Sequence, residues 1–211
     1  MQLYRKLFHC KGHGIHSPFV FDLITNVVEQ RLHFYGYKDI DLIRLHLRLH
    51  DKPITLQGKQ SSIQSYLQKQ AISQKEGELL FRLANHYKPY SILAIGSSLG
   101  LTPLYLTGYA SNLQCITLES EADVAAIAWK SIEKKADPSI QIIQGNYLTK
   151  LRDALLQLKK IDCIYFCKEL RTGELDKIFQ ECLPFFHDES LVIISGIHSS
   201  SEKCNYWKQL C

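Results

Sequence analysis

No stretch of these 211 residues holds the ~18 consecutive apolar positions a membrane-spanning helix needs. The basic start, Met1–Leu7, is followed by no continuous apolar segment, so a secretory leader is not expected either. Also missing are any CxxC pair, any internal repeat, any low-complexity tract and any run of basic residues. The seven cysteines are odd in number and scattered. Cys163 and Cys167 fall four apart in a strand-like stretch, which separates them by roughly 13 Å, and a disulfide tolerates about 7 Å between Cα atoms. Scattered thiols of this kind read as small core residues in a reducing compartment, which makes a cytoplasmic address the expectation. The net charge of +4 is spread along the chain, so neither a nucleic-acid nor a membrane partner is expected.

What is present divides near Gln74. Before it the pattern is helical and irregular. Ser17-Pro18 is suited to start a helix whose apolar face would carry Phe19, Phe21, Leu23, Ile24, Val27 and Val28. Ile40, Ile43, Leu45, Leu47 and Leu49 suggest a second, less regular helical stretch, and the polar segment Gln57–Ser65 reads as a loop. From Gln74 onward, helices and short apolar strands alternate. Helices are expected at Lys75–Tyr87, Leu101–Gly108, Glu121–Lys135, Leu148–Leu158 and Glu174–Phe186. Strands are expected at Ser91–Ile95, Gln114–Leu118, Ile140–Gln144, Ile161–Phe166 and Leu191–Ser195. Alternation of this kind implies βαβ units and a parallel sheet buried on both faces. Right-handed crossovers then give an α/β, Rossmann-like doubly wound sheet of strand order 3-2-1-4-5. The expected organisation is a helical N-terminal segment or lid over 1–73 and a nucleotide-cofactor domain over 74–211.

The chemistry concentrates at the turn Gly96-Ser97-Ser98-Leu99-Gly100, between the first strand and a helix that opens with Leu101-Thr102. Glycines and small residues there let the backbone approach a ligand and aim helix-start amides at it. The turn lacks the GxGxxG spacing of NAD-type dehydrogenases. Glu119 ends the second strand 119 − 96 = 23 residues after the first glycine, near the ~20-residue spacing at which an acid receives ribose hydroxyls. The weaker alternative is a carboxylate favoured by a helix dipole, since Glu121 and Asp123 follow. Gly145-Asn146, after the third strand, would lie at the same sheet edge.

These residues resemble the class I S-adenosylmethionine (SAM)-dependent methyltransferases, and most closely a bacterial O-methyltransferase branch related in fold to the catechol and caffeoyl-CoA enzymes. The resemblance rests on Lys75-Glu76-Gly77-Glu78-Leu79-Leu80, Pro89, Ile92-Leu93, the glycine turn and Gly145-Asn146. His13-Gly14-Ile15-His16-Ser17-Pro18-Phe19-Val20-Phe21 and Gly196-Ile197-His198-Ser199 extend it over nearly the whole chain. It implies that Gly96, Ser97, Ser98 and Gly100, with Thr102, hold the methionine part of SAM. Glu119 would hold the ribose, and Gly145 and Asn146 the adenine side. The activity implied is O-methyl transfer to a small-molecule acceptor lying between the N-terminal segment and the ends of the fourth and fifth strands.

The sequence departs from that family at its acids. Ala94 stands where the first strand usually carries one, Cys167 where the metal-dependent members place an Asp, and Ser195-Gly196 where they use Asp-Asp or Asp-Asn. Magnesium and calcium need hard oxygen ligands, so no family-type metal site is expected. A SAM-binding or scaffold protein without catalysis is therefore the alternative reading. Lys168, Glu169 and His198 are the catalytic candidates, each equally readable as an ordinary loop residue. His13 and His16 are assigned to the substrate side; with His9 they also have a metal-like spacing, which Gly12 and Gly14 argue against. Family members continue after the fifth strand into a hairpin, whereas a helix-like stretch containing Trp207 follows here. The fifth strand is then expected as a sheet edge that a second copy or further chain would cover.

Overall fold

The computed structural model describes residues 17–135 and 137–210. His9, His13 and His16, and the roles assigned to them, lie outside the described residues. The chain opens with α1 (Pro18–Asp22), a π-helical turn (Leu23–Val28) and α2 (Tyr35–Leu49). A hairpin of β1 (Pro53–Leu56) and β2 (Lys59–Ser62), α3 (Ile63–Lys69) and α4 (Gln74–Tyr87) follow. Then come β3 (Ser91–Ile95), α5 (Leu101–Thr107), β4 (Gln114–Glu119), α6 (Ala122–Lys135) and β5 (Ile140–Gln144). The remainder is α7 (Tyr147–Leu158), β6 (Cys163–Phe166), α8 (Thr172–Cys182), β7 (Leu191–Ile194) and α9 (Ser201–Leu210).

The main sheet is wholly parallel, in the order β5-β4-β3-β6-β7, which is the expected 3-2-1-4-5 arrangement. Ile140, Cys115, Ile92, Cys163 and Leu191 form one row across it. Strand periodicity of two divides the core between its faces. Ile92, Ala94, Cys115, Cys163 and Tyr165 point one way, packing with Tyr37, Ile40, Leu80, Phe81 and Tyr105. Leu93, Ile95, Ile116, Leu118, Ile164 and Phe166 point the other, against Leu151, Leu155, Leu175 and Ile178 of α7 and α8. Residues on both sides of Gln74 thus share one core. Cys163 and Cys167 are both free thiols.

Three local expectations are corrected. The segment from Gln57 to Ser65 is not a loop: it turns through Gln57 (φ 48°) and Gly58 (φ 75°) into β2 and then into α3. The polar β2 pairs with β1 in register, and the hairpin is fastened from its other strand and its turn, where Asp123 accepts from the Thr55 N–H at 2.7 Å and Glu121 from the Gln57 N–H at 2.9 Å. The second helix is regular, with Tyr37, Ile40, Ile43, Arg44 and Leu47 as its buried face and Leu45 and Leu49 exposed. A buried arginine fills a position where an apolar residue would have made the helical period visible. In the first helical stretch Val27 is buried, while Phe19, Phe21 and Val28 are exposed. The π-helical turn there shifts the side chains away from the 3.6-residue face. Ser17 does cap α1, accepting from the Val20 N–H at 3.4 Å.

Gly77 shows how tightly the shared core is closed. A Cβ added there would lie 2.2 Å from the fully buried Tyr105 ring. Gly77→Ala is expected to destabilise the protein by about 1–3 kcal/mol through overpacking, despite alanine's roughly 1 kcal/mol helix advantage. Urea unfolding measures it, and an unchanged or raised stability would mean the ring is not wedged.

Candidate functional site

All five parallel strands deliver their carboxyl ends to one rim, the place where open α/β sheets bind ligands. Beyond the strands the ladder continues for one residue: the Gly96 N–H donates to Leu118 (2.9 Å), Gly145 to Glu119 (2.9 Å), Cys167 to Ile95 (3.0 Å) and Ser195 to Phe166 (2.9 Å). The loops therefore leave the sheet side by side. Between them and the α3 region lies a cleft of about 290 Å³.

Its floor is the glycine turn. Gly96 (φ 94°) and Gly100 (φ 89°) take left-handed backbone, and so do Ser98 (φ 53°) and Leu99 (φ 61°), which have no glycine's freedom. Each such residue costs of order 1–3 kcal/mol and persists only where its surroundings fix it. The surroundings are visible. Leu99 is fully buried, and the Ser98 Oγ accepts from the Ile72 N–H at 2.7 Å. Ile72's carbonyl in turn accepts from buried Arg44 at 3.0 Å, so α2 braces the turn through one residue. Gly96 is small because Cys167 lies opposite, 2.8 Å from where its Cβ would be, and Gly100 because the Ala128 carbonyl is 2.9 Å away.

Glu119 is the central charge. It is 3% exposed. Its Oε2 accepts from the Ser97 N–H (2.9 Å) and Ser97 Oγ (2.7 Å), and its Oε1 accepts from the Glu121 N–H (3.1 Å). Burial raises its pKa, and the Ser97 bonds oppose that rise. A carboxylate offers about four acceptor positions, so Oε1 retains capacity on the cleft side. Thr102, also in the lining, is buried with an Oγ1 that has no hydrogen-bond partner among the described residues. Two buried polar groups with unused capacity facing one cleft mark where a polar ligand would be held.

Of the residues expected to hold a cofactor, Gly96, Ser98, Thr102, Glu119 and Asn146 line the cleft. Ser97 stands behind it as the Glu119 anchor, Gly100 against α6, and Gly145 beside the Lys150 side chain. Asn146 also caps α7, accepting from the Thr149 N–H at 3.3 Å. Of the catalytic candidates, Lys168 and Glu169 line the cleft, while His198 sits exposed on the turn Ile197–Ser199, outside the lining. The lining further includes Gln57, Tyr66, Gln70, Tyr147 and Tyr165, which sequence reasoning missed. Gln57 arrives on the hairpin tip, and Tyr66 on α3. Tyr165 lies in register beside Ala94 on the same face, so the small Ala94 leaves room for the ring.

The electrostatics follow from burial. Desolvation raises the phenols of Tyr66, Tyr147 and Tyr165, which remain O–H donors at neutral pH. It pushes the Cys167 thiol up to about 12, leaving it neutral. It also raises Glu169, 3.9 Å from the Lys168 ammonium. Among the described residues no group of three or more His, Cys, Asp or Glu side chains is arranged to hold a metal ion. Nor is any helix among them long and apolar enough to cross a membrane.

No protein-family model and no curated sequence matches the chain. Solved structures do. The chain is similar to the O-methyltransferase of Bacillus cereus in complex with S-adenosylhomocysteine (SAH), at 17% identity over 90% of this chain and 84% of that one, TM-score 0.61. It is similar to TomG of Streptomyces achromogenes, an O-methyltransferase involved in tomaymycin synthesis solved with SAM, at 15% identity, 87% and 80% coverage and TM-score 0.59. A SAH-bound methyltransferase of Podospora anserina matches at 15% identity, 81% and 74% coverage and TM-score 0.52. At such identities the likeness defines the architecture: this chain has the Rossmann-like fold of class I SAM-dependent O-methyltransferases.

Removing the Ser97 hydroxyl tests the Glu119 anchor. Ser97→Ala is expected to cost roughly 1.5–3 kcal/mol at neutral pH, the range for a hydrogen bond to a charged group, and to raise the Glu119 pKa further. The bond favours the carboxylate, so the deficit should be full above the variant's Glu119 pKa and shrink as acid protonates the group. Carboxyl-carbon NMR titration with urea unfolding across pH checks both. An unmoved Glu119 pKa would contradict the anchoring role.

Proposed function

We propose that this chain is a SAM-dependent methyltransferase, transferring a methyl group to an oxygen of a small-molecule acceptor. The observation that carries the reading is that Thr102, whose Oγ1 has no partner among the described residues, and Glu119, whose Oε1 is only partly used, line one cleft at the carboxyl edge of a sheet of this fold. The residues fit the cofactor. Glu119 would accept from ribose hydroxyls, Thr102 and the Ser98 region would face the methionine part, and Asn146 and Tyr147 would border the adenine. Bound there, SAM supplies an electrophilic methyl group; alignment and proton removal fall to the protein.

For the proton, Glu169 is the best-placed base. Its raised pKa makes it a stronger acceptor than an ordinary carboxylate, and it lines the cleft from the loop that follows β6. The phenols of Tyr66 and Tyr165 would orient an acceptor by donating hydrogen bonds. A second reading, a SAM-binding protein without catalysis, is favoured by one feature: Cys167 is a neutral thiol at the end of β6. The half-exposed β7 edge supports self-association as a further part of the proposal.

Calorimetric titration should give saturable binding of SAM and SAH. Glu119→Ala should weaken it by about tenfold or more, the loss of at least ~1.4 kcal/mol. Affinity should fall on acidification through the Glu119 pKa, which burial raises above the ordinary carboxylate range, because the protonated group loses acceptor capacity. Absence of binding by the folded protein would overturn the cofactor assignment. Binding without turnover over a broad acceptor panel would favour the second reading.

A further inference from the structure

A second hollow, of about 630 Å³, adjoins the cofactor cleft, and Lys168–Arg171 with Glu174 line both. Its other side comes from α9, where Lys203 is 3% exposed. The Lys203 Nζ donates to the Lys168 carbonyl at 2.8 Å. An ammonium carries three donors, yet Lys203 joins no ion pair among the described residues. The carboxylate acting on it, Glu169, is engaged with Lys168. Buried cations are ordinarily paired, because desolvation is costly without a counter-charge.

The start of α8 opens into the same hollow. Its N-cap position, Arg171, makes no side-chain cap bond, and nothing lies within 4 Å of where a Gly173 Cβ would be. As first-turn residues, Thr172 and Gly173 have amides with no acceptor within the helix, at the positive end of its dipole. Lys168, Arg171 and Lys177 add positive charge, Glu169, Glu174 and Glu202 negative charge, and Ser199 and Ser200 hydroxyls.

We propose that this hollow is a subsite for an anionic group of the acceptor, a carboxylate or a phosphate, held by the Lys203 ammonium and the Thr172 and Gly173 amides. Resting on the methyltransferase reading, this narrows the acceptor to small hydroxy compounds carrying such an anion. With the anion seated, a hydroxyl on the same molecule reaches over the Lys168–Arg171 wall toward Glu169. Lys203 then fixes the acceptor's position, and takes no part in proton transfer.

The test uses ¹⁵N-labelled protein titrated with benzoate and, separately, with inorganic phosphate, each with and without SAH. Saturable shifts centred on Thr172, Gly173 and Lys203 are expected, and the anion that binds more tightly identifies its class. Lys203→Met should weaken the response by about tenfold or more, Lys203→Arg should largely retain it, and SAH affinity should be unchanged in both. No saturable response at these residues, or one that Lys203→Met leaves intact, overturns the proposal. Should Lys203→Met fail to fold, crystal structures of the wild-type protein with bromobenzoate and with inorganic phosphate decide. Either anion on the Lys203 Nζ supports the subsite, and the absence of both there overturns it. SAH binding on the same samples tests the cofactor reading separately, so either can fail alone.

Discussion

The carboxylate of Glu119 is buried at the end of β4, and the glycine turn after β3 is built around it. Ser97 gives it both an N–H and a hydroxyl hydrogen, joining the ends of two adjacent strands through one charged group. A buried carboxylate without such donors would protonate or exclude itself from the core. With them it stays an acceptor, and one oxygen remains available to the cleft. Much of the site's geometry follows from this constraint. Ser97 must face β4, which directs Ser98 and Leu99 into left-handed backbone and brings Thr102 to the cleft wall.

Strain in that turn is balanced from outside the parallel sheet. Arg44 on α2 holds the Ile72 carbonyl, and the Ile72 N–H holds the Ser98 Oγ. The region before Gln74 therefore does more than cover the cleft. It shares the core of one sheet face, braces the glycine turn, and supplies Gln57, Tyr66 and Gln70 to the lining. The opposite wall, at the ends of β6 and β7, carries Cys167, Glu169 and Ser195. The ionisable groups on that side include one raised carboxylate, Glu169, a protonated phenol, Tyr165, and a neutral thiol, Cys167.

The parallel sheet was legible because its strands are short apolar runs between amphipathic helices, a pattern that local sequence carries. Glu119 and the glycine turn were legible because their spacing follows strand and helix length. Arg44, Tyr66 and Tyr165 were not, since their importance comes from what lies opposite them in space. The hairpin was misread because its second strand is polar, and because its first strand and turn are held by Asp123 and Glu121, far along the chain. Two small residues expected as ligand contacts also carry structural roles that spacing does not reveal: Gly100 meets the Ala128 carbonyl, and Ser97 donates to Glu119. Spacing finds such positions without saying which neighbour demands them.

The most direct measurement is a crystal structure of the protein grown with SAH. The account predicts the nucleoside in the cleft between the Gly96 turn and Tyr147, with ribose hydroxyls in hydrogen-bond contact with Glu119 and Thr102 Oγ1 facing the amino-acid portion. An empty cleft at saturating SAH, or ligand bound with Glu119 still engaged only by Ser97 and Glu121, would contradict it.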